Sequence, residues 1–290
     1  MLSNLTVVEQ YASRAVKVQS KIGIIAGSGL LPLRLIDSCR ESSKPYFIIL
    51  LEGEAKPSDY YGEDFSLIPI GSLGKTINAL KKSNCTEVVM AGPVKRPSLS
   101  KLKLDLRAIK LLARFARSKN QGDDALLRIL VKELELEGFK VIGADEILGK
   151  GSLAKVGVMG KHAPNQVALD NISLGIEVAQ TLGSLDIGQS VIIQENVVIG
   201  VEAAEGTDSL IQRCRKLLKE GSPGVLVKVK KPNQDPRADL PTIGVNTVKI
   251  SFESGLSGIA VVANSTLIID YDSVINEANS LGLFIYGQTQ

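Results

Sequence analysis

The sequence predicts a two-part α/β protein: an amino-terminal doubly wound, Rossmann-like parallel sheet and a carboxyl-terminal mixed α/β domain. Three observations carry that prediction. Apolar strand-like runs alternate with helical-period segments through the first half. The first run ends at Gly27-Ser28-Gly29 and leads into a helix, the way a nucleotide-binding unit opens. Lys150–Gln166 then loses periodicity and carries four glycines or prolines, which marks a boundary.

In order, Lys21–Ala26 is the first strand and Leu30–Arg40 a helix with Pro32 near its start. Pro45–Leu51 and Phe65–Ile70 are strands, and Lys75–Lys82 a helix reached through Gly71-Ser72-Leu73-Gly74. Thr86–Ala91 is a fourth strand, turned by Gly92-Pro93. Asp105–Ser118 and Asp123–Glu137 read as helices and Phe139–Gly143 as a strand. Beyond the boundary, Ile172–Leu182 is helical, Ser190–Gln194 and Val197–Val201 form a strand pair, and Ser209–Lys219 is a basic helix. Gly224–Val229, Thr247–Phe252 and Gly258–Ala263 read as strands, with Ser273–Leu281 a last helix. The expected divisions are a polar extension over 1–20, with a helix through Val7–Val18, then domains over 21–149 and 167–290 joined by a linker over 150–166.

Composition narrows the function classes. The chain has 290 residues, enough for two cores, and a net charge of +3, too small to argue for a nucleic-acid partner. Tryptophan is absent and aromatics are few, which counts mildly against single-stranded nucleic-acid binding by base stacking. Cys39, Cys85 and Cys214 are isolated and suit buried thiols in a reducing compartment. His162 is the only histidine, so a multi-histidine metal site is excluded and the general acid or base is expected to be a carboxylate. No apolar run is long enough to cross a bilayer, and the first residues lack a secretory signal pattern.

The most informative stretch is Val227–Thr247, VKVKKPNQDPRADLPTIGVNT. It sets Lys228, Lys230, Lys231 and Arg237 beside Asp235 and Asp239, with Pro232, Pro236 and Pro241 restricting the backbone. Phosphoryl chemistry needs that mixture: cations for phosphate oxygens and a carboxylate to hold a hard metal ion or take a proton. A rigid solvated loop is the alternative reading.

Other candidates carry an ordinary reading beside the functional one. Gly27, Ser28 and Gly29 could cradle a phosphate or form a tight turn. Lys95 and Arg96, between prolines after the fourth strand, form a cationic prong suited to phosphate or a solvated loop. Asp123 and Asp124 open a helix as caps, or touch a metal or sugar. Thr207 and Asp208 also open a helix, where capping or phosphate binding would explain them. His162 reads as a hydrogen-bonded loop residue. Lys101–Lys119 alternates cations with leucines and Phe115, a basic amphipathic segment that packs on its own domain or touches a lipid surface.

Several long motifs in one order resemble a single family: IAGSGLLP, MAGPVKRPSLSKLKLD, QGDDALLR, LGSLDIGQSVII, VEAAEGTDSLIQR and LVKVKKPNQDPRADLPTIGVNTV, with LSGIAV after it. They are similar to the UDP-2,3-diacylglucosamine pyrophosphatases of the LpxI type, from about Lys21 to Gly287. The extension before Lys21 departs from the family. The resemblance implies magnesium-dependent hydrolysis of UDP-2,3-diacylglucosamine to UMP and 2,3-diacylglucosamine 1-phosphate, with water attacking the sugar-side phosphorus. It also implies a two-domain protein that closes on its lipid substrate, works as a homodimer, and sits peripherally on the cytoplasmic face of the membrane.

The expected catalytic residues are Asp235, Asp239, Lys231 and Arg237, with Asp235 also the Mg2+ ligand. Expected substrate contacts are Gly27, Ser28, Gly29, Lys95, Arg96, Asp123, Asp124, Thr207, Lys228 and Gln234. A nicotinamide-dependent oxidoreductase and a nonenzymatic nucleotide- or lipid-binding protein are the alternatives. Pro32, standing where a third dinucleotide glycine belongs, weighs against the oxidoreductase.

Overall fold

Five strands open the chain: β1 (Ile22–Ala26), β2 (Tyr46–Leu51), β3 (Phe65–Ile68), β4 (Glu87–Ala91) and β5 (Lys140–Val141). In this computed structural model, which describes residues 20–95, 102–117, 122–232 and 234–289, they form one parallel sheet ordered β3-β2-β1-β4-β5. Every residue of β1 is buried, as expected for a strand covered on both faces. The helices are α1 (Leu31–Glu41), α2 (Leu73–Lys82), α3 (Leu106–Ala116), α4 (Asp123–Leu136) and α5 (Ala144–Leu148). Leu35, Ile36 and Cys39 of α1 and Ile147 of α5 pack with Ile24, Ile48 and Val89. Leu80, Leu111 and Leu134 of α2, α3 and α4 fill the other face against Ile49 and Val88. The strand order reverses between β1 and β4, which places a crevice at their carboxyl ends.

The second half holds β6 (Gly157–Met159), α6 (Gln166–Ser184), β7 (Ser190–Gln194), β8 (Val197–Val201), α7 (Thr207–Cys214) and β9 (Gly224–Lys228). After them come β10 (Thr242–Ile243), α8 (Val245–Glu253), β11 (Leu256–Val262), β12 (Leu267–Ile268), α9 (Tyr271–Leu281) and β13 (Phe284–Gln288). Its six-stranded sheet runs β6-β13-β11-β9-β7-β8. The three central strands β13, β11 and β9 are parallel, and the flanking β6, β7 and β8 pair antiparallel. One face is covered by α6 and the other by α7, α8 and α9. Gly175 lets α6 lie close on β9, since a Cβ there would stand 2.5 Å from a Val227 methyl.

The two halves interlock. Leu267, from β12, is buried in the core of the first sheet beside Ile147 and Tyr60. Leu153 pairs with Leu267, and the Ala154 amide donates to the Thr266 carbonyl at 2.9 Å. Arg34 reaches Asp270 with two hydrogen bonds, of 2.6 and 2.8 Å.

Thr247–Phe252, expected as a strand, is the middle of α8. Its β-branched residues favour a strand locally, but β9 and β11 are adjacent and parallel, and such a pair requires a crossover. The helix satisfies it by burying Thr247, Val248, Ile250 and Ser251. The expected helix over Ser209–Lys219 stops at Cys214, and Lys150–Gln166 contains β6 on the sheet edge. The strand β13 and the two-residue β10 and β12 carried too little pattern to be read. The helix expected through Val7–Val18 lies outside the described residues, as do Arg96 and both ends of Lys101–Lys119.

Candidate functional site

Lys228 ends β9 opposite Ser190, the first residue of β7. The strand's other residues are apolar and buried, so the register carries the lysine in with them; it is only 7% exposed. Its Nζ donates to Thr207 Oγ1 at 2.9 Å. Thr207 is the first residue of α7, set by Gly206 at φ 81°, and it donates to Glu202 Oε1 at 3.1 Å. Gly206, and neither Thr207 nor Asp208, is the N-cap; the Asp208 carboxylate accepts from Asn246 at 2.9 Å.

Three residues further on, Lys231 enters the space between the halves. Its Nζ lies 3.1 Å from Asp124 of α4 and 2.6 Å from Asp186, just after α6. Burial opposes the charge of Lys231, but the hydrogen bond it donates to Asp186 and the charge of Asp124 hold its ammonium above the usual lysine range. Burial pushes the Asp124 carboxyl up, with the charge and hydrogen bond of Lys231 opposing. Gly122 is the N-cap of α4, so Asp123 and Asp124 lie in the first turn and are not the caps expected of them. Asp123 is exposed.

The loop then folds on itself. Gln234, buried, accepts from the Lys231 amide at 3.2 Å and donates to Asp239 Oδ2 at 2.6 Å. The Asp239 amide donates to the Asp235 carbonyl at 3.1 Å, closing a single turn. Asp239 keeps some exposed surface but sits deep among protein atoms; desolvation pushes its carboxyl up against the pull of Gln234, Lys228 and Lys231. Asp235 faces Arg237 with both oxygens, at 3.0 Å to Nε and 2.8 Å to the terminal nitrogen, and that contact holds its carboxyl below the usual range. Arg237 also reaches Glu135 of α4 at 2.6 Å.

The structure therefore brings Lys228, Thr207, Lys231, Asp124, Gln234, Asp235, Arg237 and Asp239 around one loop between the halves. Gly27, Ser28 and Gly29 lie at the β1–β4 crevice. There the Gly27 amide donates to Ala91 O at 2.8 Å and the Ser28 amide to Pro93 O at 2.9 Å. Two of the amides a phosphate would need are thus taken, and a Cβ on Gly27 would stand 2.6 Å from that Pro93 carbonyl. Lys95 is exposed beside them, and Arg96 lies outside the described residues. His162 bonds the Asn279 carbonyl at 3.1 Å, as a loop residue. Sequence reasoning missed Asp186 and Glu202: Asp186 stands far along the chain from Lys231 and Asp124, while Glu202 is close to Thr207 in sequence but is set beside β7 only by the bond from its amide to the Ser190 carbonyl.

Fold and site together define a two-domain α/β protein with a buried cation–carboxylate site, suited to phosphate-bearing ligands. The chain belongs to the LpxI family: the model described as the LpxI N-terminal domain matches residues 21–150, and that of the LpxI C-terminal domain matches 155–286. It is 40% identical over 275 residues to the UDP-2,3-diacylglucosamine pyrophosphatase LpxI of Caulobacter vibrioides, covering 92% of this chain and 97% of that one. Among solved structures, a UDP-N-acetylglucosamine 4-epimerase from Bacillus cereus is 12% identical, covering 93% of this chain and 88% of that one, with a TM-score of 0.33. A UDP-glucose 4-epimerase from Thermus thermophilus is also 12% identical, covering 93% and 86%, with a TM-score of 0.29. Both similarities are too slight to bear on function.

Proposed function

We propose that this chain is a magnesium-dependent UDP-2,3-diacylglucosamine pyrophosphatase of lipid A biosynthesis, releasing UMP and 2,3-diacylglucosamine 1-phosphate. Family membership and near full-length identity to a pyrophosphatase support the reading. The observation that carries it is Lys228, a buried ammonium whose hydrogen bond goes to a neutral hydroxyl, with donors left for phosphate oxygens. Carboxylates on the same loop suit the activation of water beside a bound diphosphate.

The residues fit a magnesium ion. Such an ion is commonly held by one or two carboxylates and completed by phosphate oxygens and water. Asp124 and Asp186 already converge on a single cation, the Lys231 ammonium. No group of three or more metal-binding side chains occurs among the described residues, so substrate oxygens would complete the shell. Asp235 is the carboxylate we assign to the ion, which when bound would neutralise charge on the diphosphate. Asp235 becomes available as Arg237 turns from it to a phosphate oxygen.

In the reaction proposed, water adds to the sugar-side phosphorus and the bond from that phosphorus to the bridging oxygen breaks. UMP leaves with the bridging oxygen, and the water's oxygen stays on the sugar phosphate. We assign the water's proton to Asp239, whose carboxyl burial pushes up, while Arg237 holds that of Asp235 down. Lys228 and Arg237 stabilise charge on the phosphates as the bond breaks. Hydrolysis in oxygen-18 water tests this: label is expected in 2,3-diacylglucosamine 1-phosphate, and label in UMP contradicts it.

The same reading includes a homodimer and a cytoplasmic station on the inner face of the membrane, held peripherally. No described helix is long and apolar enough to cross a bilayer. The oxidoreductase alternative loses support at Gly27 and Ser28, whose amides are engaged by the neighbouring loop.

A further inference from the structure

Glu202 follows β8 and is 7% exposed. Its Oε1 accepts from Thr207 Oγ1 at 3.1 Å, while its Oε2 is buried without a partner among the described residues. Thr207 Oγ1 also meets Lys228 Nζ at 2.9 Å and lies 3.2 Å from Ser190 Oγ. These four groups admit one arrangement of protons. A carboxylate only accepts, an ammonium only donates, and a threonine hydroxyl has a single proton. Thr207 therefore gives its proton to Glu202, turns its lone pairs to Lys228, and receives the Ser190 proton.

Lys228 depends on that polarity. It is as buried as Glu202, and the acceptor in its contact is the Thr207 hydroxyl. A buried ammonium loses heavily if its acceptor turns away. A carboxylate with one oxygen unpartnered is itself costly to bury, so its retention there asks for a role that a neutral side chain would not fill.

We propose that Glu202 is a positioning residue: through the Thr207 hydroxyl it aims the Lys228 ammonium at the ligand's phosphate oxygens. The inference rests on the diphosphate reading above and deepens it by naming what orients the cation. An amide at this position can turn its NH2 toward Thr207. The hydroxyl proton then swings toward Lys228, and the ammonium is displaced from its aim.

The test is a double-mutant cycle read by calorimetric binding of inorganic pyrophosphate with magnesium present, and by UMP release from UDP-2,3-diacylglucosamine. Wild type, Glu202→Gln, Lys228→Met and the double variant are compared. Glu202→Gln is expected to weaken pyrophosphate binding and raise KM by about tenfold, with kcat changed less, and to have less than about a twofold further effect once Lys228 is Met. Equal losses in the two backgrounds, or no loss in either, overturn the proposal. If Lys228→Met does not fold, the same cycle with Thr207→Val decides, because the coupling passes through that hydroxyl. A wild-type protein that binds pyrophosphate but releases no UMP defeats the reaction assignment, while the binding cycle still decides the role of Glu202. Failure of wild type to bind pyrophosphate overturns the positioning role.

Discussion

Asp235 turns both oxygens to one guanidinium, and Arg237 shares that guanidinium with Glu135 of the other half. In the proposed reaction the diphosphate separates this acid from its cation. Asp235→Ala is therefore expected to lose about a hundredfold or more in kcat while binding substrate, and Asp239→Ala less, measured by steady-state UMP release. The guanidinium is 40% exposed, so screening limits the pair's worth to about 1 kcal/mol or less. Because Arg237 lowers the Asp235 pKa in the folded state, that stabilisation is present above the ordinary carboxylate value of about 3.9 and disappears as pH falls through the lowered one. A small melting-temperature deficit of Asp235→Asn should thus be seen at pH 6 and vanish toward pH 2. A deficit that grows as pH falls would contradict the pairing. The Asp235, Arg237 and Lys231 loop was legible because its residue types stand together between prolines. Asp186 and Glu202 were not, since a lone acid in a loop has no pattern of its own, and Lys231 and Lys228 approach them only in the folded chain.

Helix α3 shows how a segment's periodicity can be read while its use stays open. Ala108 and Leu111 turn inward, whereas Leu106 and Ile109 are exposed at 79% and 49%. Arg107 is paired with Glu137, and Lys103 and Lys110 are exposed. Leu106, Ile109 and the two lysines are among the exposed groups that could meet an anionic bilayer. Replacing Lys103 and Lys110 by Gln and Leu106 by Ser should reduce cosedimentation with anionic vesicles by roughly tenfold. Unchanged sedimentation would return α3 to a packing role. The first sheet was legible for the same reason as α3: β1 and β2 are continuous apolar runs, and α1 and α2 each have a clear inner face. Helix α8 was not, because its β-branched residues express a local preference that the β9–β11 crossover overrides.

At the scale of the molecule, the halves meet through charge as well as through Leu267. The Lys231 ammonium joins Asp124 of one to Asp186 of the other, and the side chains are 11%, 6% and 18% exposed. Removing the cation leaves two buried acids facing each other. Lys231→Met should therefore lower stability by about 3 kcal/mol in urea unfolding, and Asp186→Asn in the same chain should recover part of it. Amide exchange should rise along the first turn of α4 and the loop after β9. No change in either measurement would mean that the triad does not join the halves. Sequence placed a boundary near residue 150 but gave no sign of this junction, because its members are contributed by three separated segments.

The central claim concerns the reaction, and one measurement meets it directly: UMP release by the purified protein from UDP-2,3-diacylglucosamine, with and without magnesium, beside unacylated UDP-glucose. The predicted result is magnesium-dependent UMP from the diacylated substrate and little from UDP-glucose. No UMP from the diacylated substrate, or equal turnover of the two, would contradict it.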